Sequence, residues 1–353
     1  MKSPRITILF GLLLPIATAF AVDIQLTVKR KTPLNGELGD RVTFGLLKEM
    51  TCDSEGNIFS PSNRKYGGAI NAVVRFPHDA SSFTTFSIDS DDGLDGGTIT
   101  DFELEASGEL FVFARQVLKY SDVEVPVEFG KSFLIHYGQG GKILSRLELK
   151  LDTSNFEPTG IAMLQGGEVL VVGRHGEHEK TYLIAEILSS DGNLQGRYTL
   201  NPNGTKTSKN KTVLSPRVFQ PTAVKANGLV YILRGTTTEP VYVLSQTGHL
   251  LRTIQLKPTD MEFDSPKILE NELIVRDHLR QSPQSTLSVF SLQTGEVVDR
   301  YFWQHNGAAG LACAASHSLT FIGQDVSHED IGWAIFETGP GPISTTKPSA
   351  TGR

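Results

Sequence analysis

Long apolar runs are almost absent from this chain: beyond Ile6 to Phe20, no stretch approaches the ~20 residues needed to span a bilayer. No membrane span is therefore expected in the mature chain. Apolar residues recurring at a 3.6-residue period over a long window are missing as well, which excludes helical bundles and helical repeats. Cysteine is limited to Cys52 and Cys313, too few for a disulfide scaffold and enough for one bridge. Cationic excess is lacking, since 33 Lys and Arg stand against 39 Asp and Glu for a net charge of −6. That balance argues against nucleic acid or an anionic membrane as partner, so any anion site must be local. A nucleophile-elbow serine, a paired-carboxylate signature and a phosphate-cradling glycine loop are also missing. No cofactor is expected.

What remains is a globular composition, 39% apolar and 20% charged over 353 residues. Lys2 and Arg5 precede the apolar run, and Ala19 and Ala21 place small residues where signal peptidase reads. Residues 1–21 are thus expected to be a cleaved signal peptide, with the mature chain secreted or periplasmic. The alternative, a membrane anchor, is disfavoured by Pro15 and by the length of the run. Asn203 and Asn210 head glycosylation sequons that matter only in a eukaryotic host.

The segment from Phe156 to Leu200 reads as four short strands: Gly160 to Leu164, Val169 to Gly173, Tyr182 to Leu188 and Leu194 to Leu200. Gly166-Gly167 and Asp191-Gly192 supply the tight turns between them. The turn after the third strand recurs at Gly93, Gly141, Gly192, Gly248, Gly295 and Gly339, at intervals of 44 to 56 residues. The second strand recurs in step, from Gly56, Gly108, Gly167, Gly228, Asn271 and His317. Near-equal periods of four strands predict an all-β chain, a six-bladed β-propeller over residues 22–338 with four-stranded antiparallel blades. The last unit lacks a fourth strand, and Asp23 to Val28 alternates without a partner. The N-terminal strand is therefore expected to close the last blade, leaving no long edge exposed. The tail 339–353, rich in Pro, Gly, Ser and Thr, is expected to be disordered.

The phrase FEPTGIAMLQGGEVLVVG from Phe156, with weaker copies FQPTAVKANGLVYILR from Phe219 and FDSPKILENELIVR from Phe263, resembles the NHL and related six-bladed propeller repeats. The resemblance spans residues 44–338 at the level of pattern. It implies that the loops between second and third strands, and between one unit and the next, gather on one face around a central channel. Its known members include binding scaffolds, lactonases and lyases, so it implies a fold and leaves function to the site.

Candidate site residues therefore come from those loops. Arg115, Arg174, Arg234 and Arg276 each close a second strand, and Arg64 is a fifth candidate. Equivalent positions in a radial repeat form a ring, and a ring of guanidiniums suits a carboxylate, phosphate or sulfate. The alternative is that each Arg pairs with a nearby acid, for which Glu177, Glu179, Glu239, Asp277 and Asp325 are candidates. His175 and His178 share one loop with two carboxylates, and His278 and His328 lie in equivalent loops. A loop HxxH does not fix two rings on one metal, so no metal is expected there. The acidic run Asp89 to Asp95 departs from a calcium loop, because Gly93 takes a ligand position. Lys206, Lys209, Lys211 and Arg217 form a basic loop.

The functional expectation is an exported, monomeric binding or interaction module for a protein or small anionic ligand at the Arg-lined mouth. The alternatives are a propeller hydrolase or lyase, and a structural subunit of a surface assembly. Cys52 and Cys313 occupy the same place in the first strands of the first and last units. Equivalent side chains in a radial repeat point in the same rotational sense, so two free buried thiols are predicted.

Overall fold

The structure is a computed structural model. It describes residues 21–341 apart from 35, 43–49, 64–68, 89–93, 95–96, 121–125, 153–155, 178–179, 207–219, 259–260, 278–283, 306–308, 316–317 and 326–331. The signal-peptide expectation thus lies outside the described residues, save for Ala21. Strand β1 (Val22–Leu34) and a short helix α1 (Gly36–Arg41) open the chain.

Successive strands then pair antiparallel with their neighbours in sequence. The first sheet holds β2 (Thr51–Cys52), β3 (Ile58–Asn63), β4 (Ile70–Phe76) and β5 (Thr84–Ser87). The second holds β6 (Thr98–Leu104), β7 (Leu110–Tyr120), β8 (Pro126–Tyr137) and β9 (Ile143–Leu149). The third holds β10 (Phe156–Met163), β11 (Val169–Glu177), β12 (Lys180–Leu188) and β13 (Leu194–Thr199), with β14 (Thr205–Lys206) added against β12. The fourth holds β15 (Thr222–Ala226), β16 (Leu229–Leu233), β17 (Val241–Ser245) and β18 (Leu250–Ile254). The remaining strands are β19 (Phe263–Leu269), β20 (Glu272–Asp277), β21 (Gln284–Ser291), β22 (Val297–Gln304), β23 (Ala309–Ala315), β24 (Ser318–Asp325) and β25 (Gly332–Pro340). With β1 they make one eight-stranded sheet in the order β19-β20-β21-β22-β1-β25-β24-β23.

The first strands of these runs touch in sequence: β6 meets β10, β10 meets β15, β15 meets β19, β19 meets β23, and β23 meets β2. The arrangement is radial, and the fold is a β-propeller. Its core is divided among the interfaces between sheets. Phe102, Val112 and Ile135 pack with Phe59, Val73 and Phe86, and Leu170, Val172 and Ala185 pack with Val230, Ile232 and Tyr242. Both faces of a sheet are apolar and are buried only by its neighbours. Inner edges need satisfying too: Asp101 and Glu103 on β6 accept the Ile161 and Met163 N–H groups of β10 at 2.9 and 2.6 Å.

Local turn chemistry matches the sequence reading where it can be checked. Gly141, Gly192, Gly248 and Gly295 have φ between 76° and 82°, a region that glycine enters without steric cost. Gly93 lies outside the described residues. Gly339 is different, because β25 continues through it, its partner is Thr27, and Gly341 donates its N–H to Gln25 O at 2.8 Å. The expected disordered tail therefore begins too early, since an edge for residues 339–341 to pair with was invisible in their composition. Residues 342–353 lie outside the described residues.

The N-terminal strand pairs with β25, but over Leu26 to Leu34 rather than Asp23 to Val28. Val22 to Gln25 pair parallel with Asp299 to Phe302 of β22. One strand thus covers two edges. The two cysteines are bonded, with Cα atoms 5.6 Å apart, which corrects the expectation of free thiols. Cys52 sits opposite Ile58 of β3, two residues after Gly56, whereas Cys313 sits opposite Thr320 of β24, three residues after His317, so the two do not occupy equivalent register positions and can converge.

His305 stacks on Trp303 with ring centroids 4.3 Å apart and meets Phe336 edge-on. Burial pushes its imidazole below the ordinary range, with Asp325 opposing and Lys31 adding to the effect. Protonation is thus resisted in the folded state. Stability from this group is complete above the unfolded pKa of about 6.5 and erodes as pH falls below it. A His305→Gln variant should show a flatter dependence of melting temperature on pH between about 5 and 7 than the wild type. Deleting residues 22–34 should bare the edges of β22 and β25 together. The expected result is a sharply lower melting temperature and concentration-dependent aggregation in light scattering. Replacing both cysteines with alanine should cost about 2–5 kcal/mol in urea unfolding, given the long loop the bond closes.

Candidate arginine-lined site

Arg174 lies directly across the ladder from Glu157, and Arg276 lies across from Asp264. Each makes the matching ion pair: Arg174 Nε to Glu157 Oε2 at 2.6 Å, and Arg276 Nε to Asp264 Oδ1 at 2.7 Å with a second contact from Nη2 to Oδ2. The acid in both cases follows a phenylalanine at the start of the innermost strand, in FEP and FDSP. The signal is present in the sequence, on the strand that precedes each arginine rather than in the loop that follows it.

The same position is Gln220 in the copy that leads to Arg234, and Thr98 faces Arg115. Those two guanidiniums therefore lack an in-sheet carboxylate. Arg234 takes Glu239 instead, Nη1 to Oε1 at 3.4 Å. Burial holds Arg234 below the usual guanidinium range, with Glu239 opposing and the charge of Arg174 adding to the depression. Tyr242, close by, is pushed up to about 12 by burial and Glu239. Arg115 has no such acid. Its guanidinium carbon sits 3.6 Å from the centre of the Phe129 ring, and its Nε has no hydrogen-bond partner. Burial lowers it to about 10, with only Glu157 pulling the other way. It remains cationic at neutral pH.

Arg115, Arg174 and Arg234 thus share one electrostatic neighbourhood, linked through Glu157 and through the repulsion between Arg174 and Arg234. Arg276 is engaged by Asp264 and is not among the groups acting on Arg115 and Arg234. His175 is half-buried in β11, across from Phe156 and Tyr182. His178, Arg64, His278, His328, Lys209, Lys211, Arg217 and the side chain of Glu177 lie outside the described residues, as does most of the acidic run from Asp89. Among the described residues, no group of three or more His, Cys, Asp or Glu is placed to hold a metal, and no helix is long and apolar enough to cross a membrane.

A cavity opens at the opposite end of the sheets, by the turns joining first and second strands. One lobe, of about 390 Å³, is lined by Cys52, Asp53, His78, Lys267 and Cys313. A second, of about 470 Å³, shares Cys52, Asp53 and Lys225 and adds Glu103 and Glu105. Lys225 Nζ stands 2.9 Å from Glu105 Oε1 and 3.4 Å from Glu103 Oε1. Burial disfavours its charge, but the two carboxylates outweigh that and hold it above the usual lysine range. The cavity was missed because its residues come from turns with no shared motif.

No protein-family model matches the chain, and no curated protein matches it. The resemblance to NHL-type repeats therefore extends to the architecture alone. Among solved structures, the chain is similar to a protein of unknown function from Dyadobacter fermentans, at 9% identity and a TM-score of 0.55, covering 90% of this chain and 99% of that one. It is also similar to a member of the DUF4221 family from Bacteroides vulgatus, at 8% identity and a TM-score of 0.51, with the same coverage. At such identities the likeness shows the fold alone. A polysaccharide lyase acting on ulvan matches at 13% identity and a TM-score of 0.42, covering 82% of this chain and 78% of that one, too distant to say anything of this chain's chemistry.

The two kinds of arginine separate on mutation. The Arg276–Asp264 pair is largely buried, at 18% and 8% side-chain exposure, so Asp264→Asn should destabilise by about 3 kcal/mol. The Arg174–Glu157 pair is exposed to 31% and 41%, and Glu157→Gln should cost under about 1 kcal/mol after solvent screening. Urea denaturation of both variants checks the order.

Proposed function

We propose that the chain is an exported six-bladed propeller, the eight-stranded sheet counting as two blades that share β1, and that it binds an anionic ligand at Arg115, Arg174 and Arg234. Export rests on the signal-like N-terminus, and a bonded Cys52–Cys313 pair agrees with an oxidising compartment. The observation that carries the binding reading is Arg115. A half-buried guanidinium facing Thr98 instead of an acid, its buried Nε without a hydrogen-bond partner among the described residues, is costly to maintain unless another anion completes it. Arg174 and Arg234 supply further forks on neighbouring sheets, suited to a carboxylate or sulfate group. Glu157 and Glu239 leave the cluster one positive charge in excess and orient the guanidiniums.

The test is thermal shift and calorimetry with sulfate, citrate and a uronic-acid oligosaccharide at low salt. At least one should raise the melting temperature saturably, by about 2.7 kcal/mol of stabilisation at a hundredfold excess over Kd. Arg115→Met should abolish that response while retaining the fold, and Arg276→Met should not abolish it. No saturable response to any of the three anions, or an unaltered response in Arg115→Met, would overturn the reading.

A further inference from the structure

The Cys52–Cys313 bond joins β2 to β23 where the first sheet meets the last run of strands, packed on one side against the core cluster of Met50 and Ile335 and forming part of the cavity wall on the other. Both cysteines are only partly buried. Their surroundings differ. Cys52 lines both lobes of the cavity, whereas Cys313 lines one. Among the described residues, the imidazole contact falls on Cys313, with His78 Nε2 3.9 Å from its sulfur. The other nitrogen of that ring, Nδ1, is 3.2 Å from Glu337 Oε1, and Arg30 lies 3.6 Å beyond on the same carboxylate. Glu337 belongs to β25 and is fixed there opposite Arg30 and Thr320. The carboxylate therefore orients the imidazole with Nε2 toward sulfur, the arrangement that stabilises a departing thiolate.

We propose that this bond is a thiol-exchange site for small aliphatic thiols of cysteine or glutathione size, opened preferentially by attack at Cys52. An incoming thiolate enters the cavity and attacks Cys52 Sγ, forming a new S–S bond as the Cys52–Cys313 bond breaks. The electron pair departs on Cys313 Sγ, which takes a proton delivered at His78 Nε2. The ring regains a proton from solvent. A second thiolate then attacks the bound thiol's sulfur, releasing the oxidised small disulfide and Cys52 as a thiolate. Two thiols are oxidised to one disulfide, and the protein is reduced by the same two electrons. The leaving group with the better-stabilised thiolate departs faster, and the more accessible sulfur is the one attacked, so both factors select Cys52 as the site of the adduct. Reduction releases β2 from β23 and frees the closure of the ring at this mouth of the channel. The site stands at the opposite end of the sheets from the arginine cluster and does not depend on the anion reading.

The experiment treats the oxidised full chain with excess reduced glutathione at neutral pH without denaturant, traps with iodoacetamide, and maps the peptides by mass spectrometry. The expected early product carries glutathione on Cys52 and the alkyl label on Cys313, in about tenfold preference over the reverse. A His78→Gln variant, oxidised and with an unchanged melting temperature, should open about tenfold more slowly and lose the preference. Glutathione found mainly or equally on Cys313 in the wild type would overturn the proposal, as would opening only in urea. So would a folded His78→Gln variant that reacts like the wild type. If that variant does not fold, the adduct position in the wild type decides.

Discussion

A propeller sheet has two apolar faces and no interior of its own. Each of the sheets here buries one face on the sheet before it and the other on the sheet after it, so the clusters around Phe102, Tyr242 and Trp303 exist only because the ring of first strands closes. Closure is the constraint on which the rest depends. It is met at three depths: β1 spans the outer edges of β22 and β25, the packing of Leu34 and Leu38 against Met50 and Ile335 fills the seam, and the Cys52–Cys313 bond ties the inner strands. Loss of any one leaves the others to hold an interface that the repeat itself does not complete.

The repeat also sets up the chemistry by being imperfect. Where a copy keeps an acid at the head of its first strand, the arginine at the end of the second strand is neutralised across the ladder, as at Glu157 and Asp264. Where the acid is replaced, by Thr98 or Gln220, the arginine is left to find a loop carboxylate or an aromatic face. A duplicated structural ion pair thus turns into a local concentration of positive charge on a chain whose net charge is negative. At the other end, the carboxylates Glu103 and Glu105 hold Lys225 across the cavity, and the balance of charge is nearly restored.

The sequence by itself determined most of the turns and the propeller architecture, because both are written in local sterics. The turn glycines adopt φ values that other residues rarely do, and short aliphatic runs such as VLVVG between turn residues mark strands buried on both faces. The ion pairs of Arg174 and Arg276 were legible as well, on adjacent strands of a recurring phrase. Only the tertiary structure decided the rest. The register of β1 depends on where the edge of β22 ends and that of β25 begins, which no segment encodes alone. The different registers of Cys52 and Cys313 allow a bond between them, and the surroundings of Arg115 are set by Thr98 across the ladder and by the Phe129 ring. Contacts between residues distant in the chain carry no local signature, since their geometry is fixed by packing of whole sheets rather than by the conformational preference of any one residue.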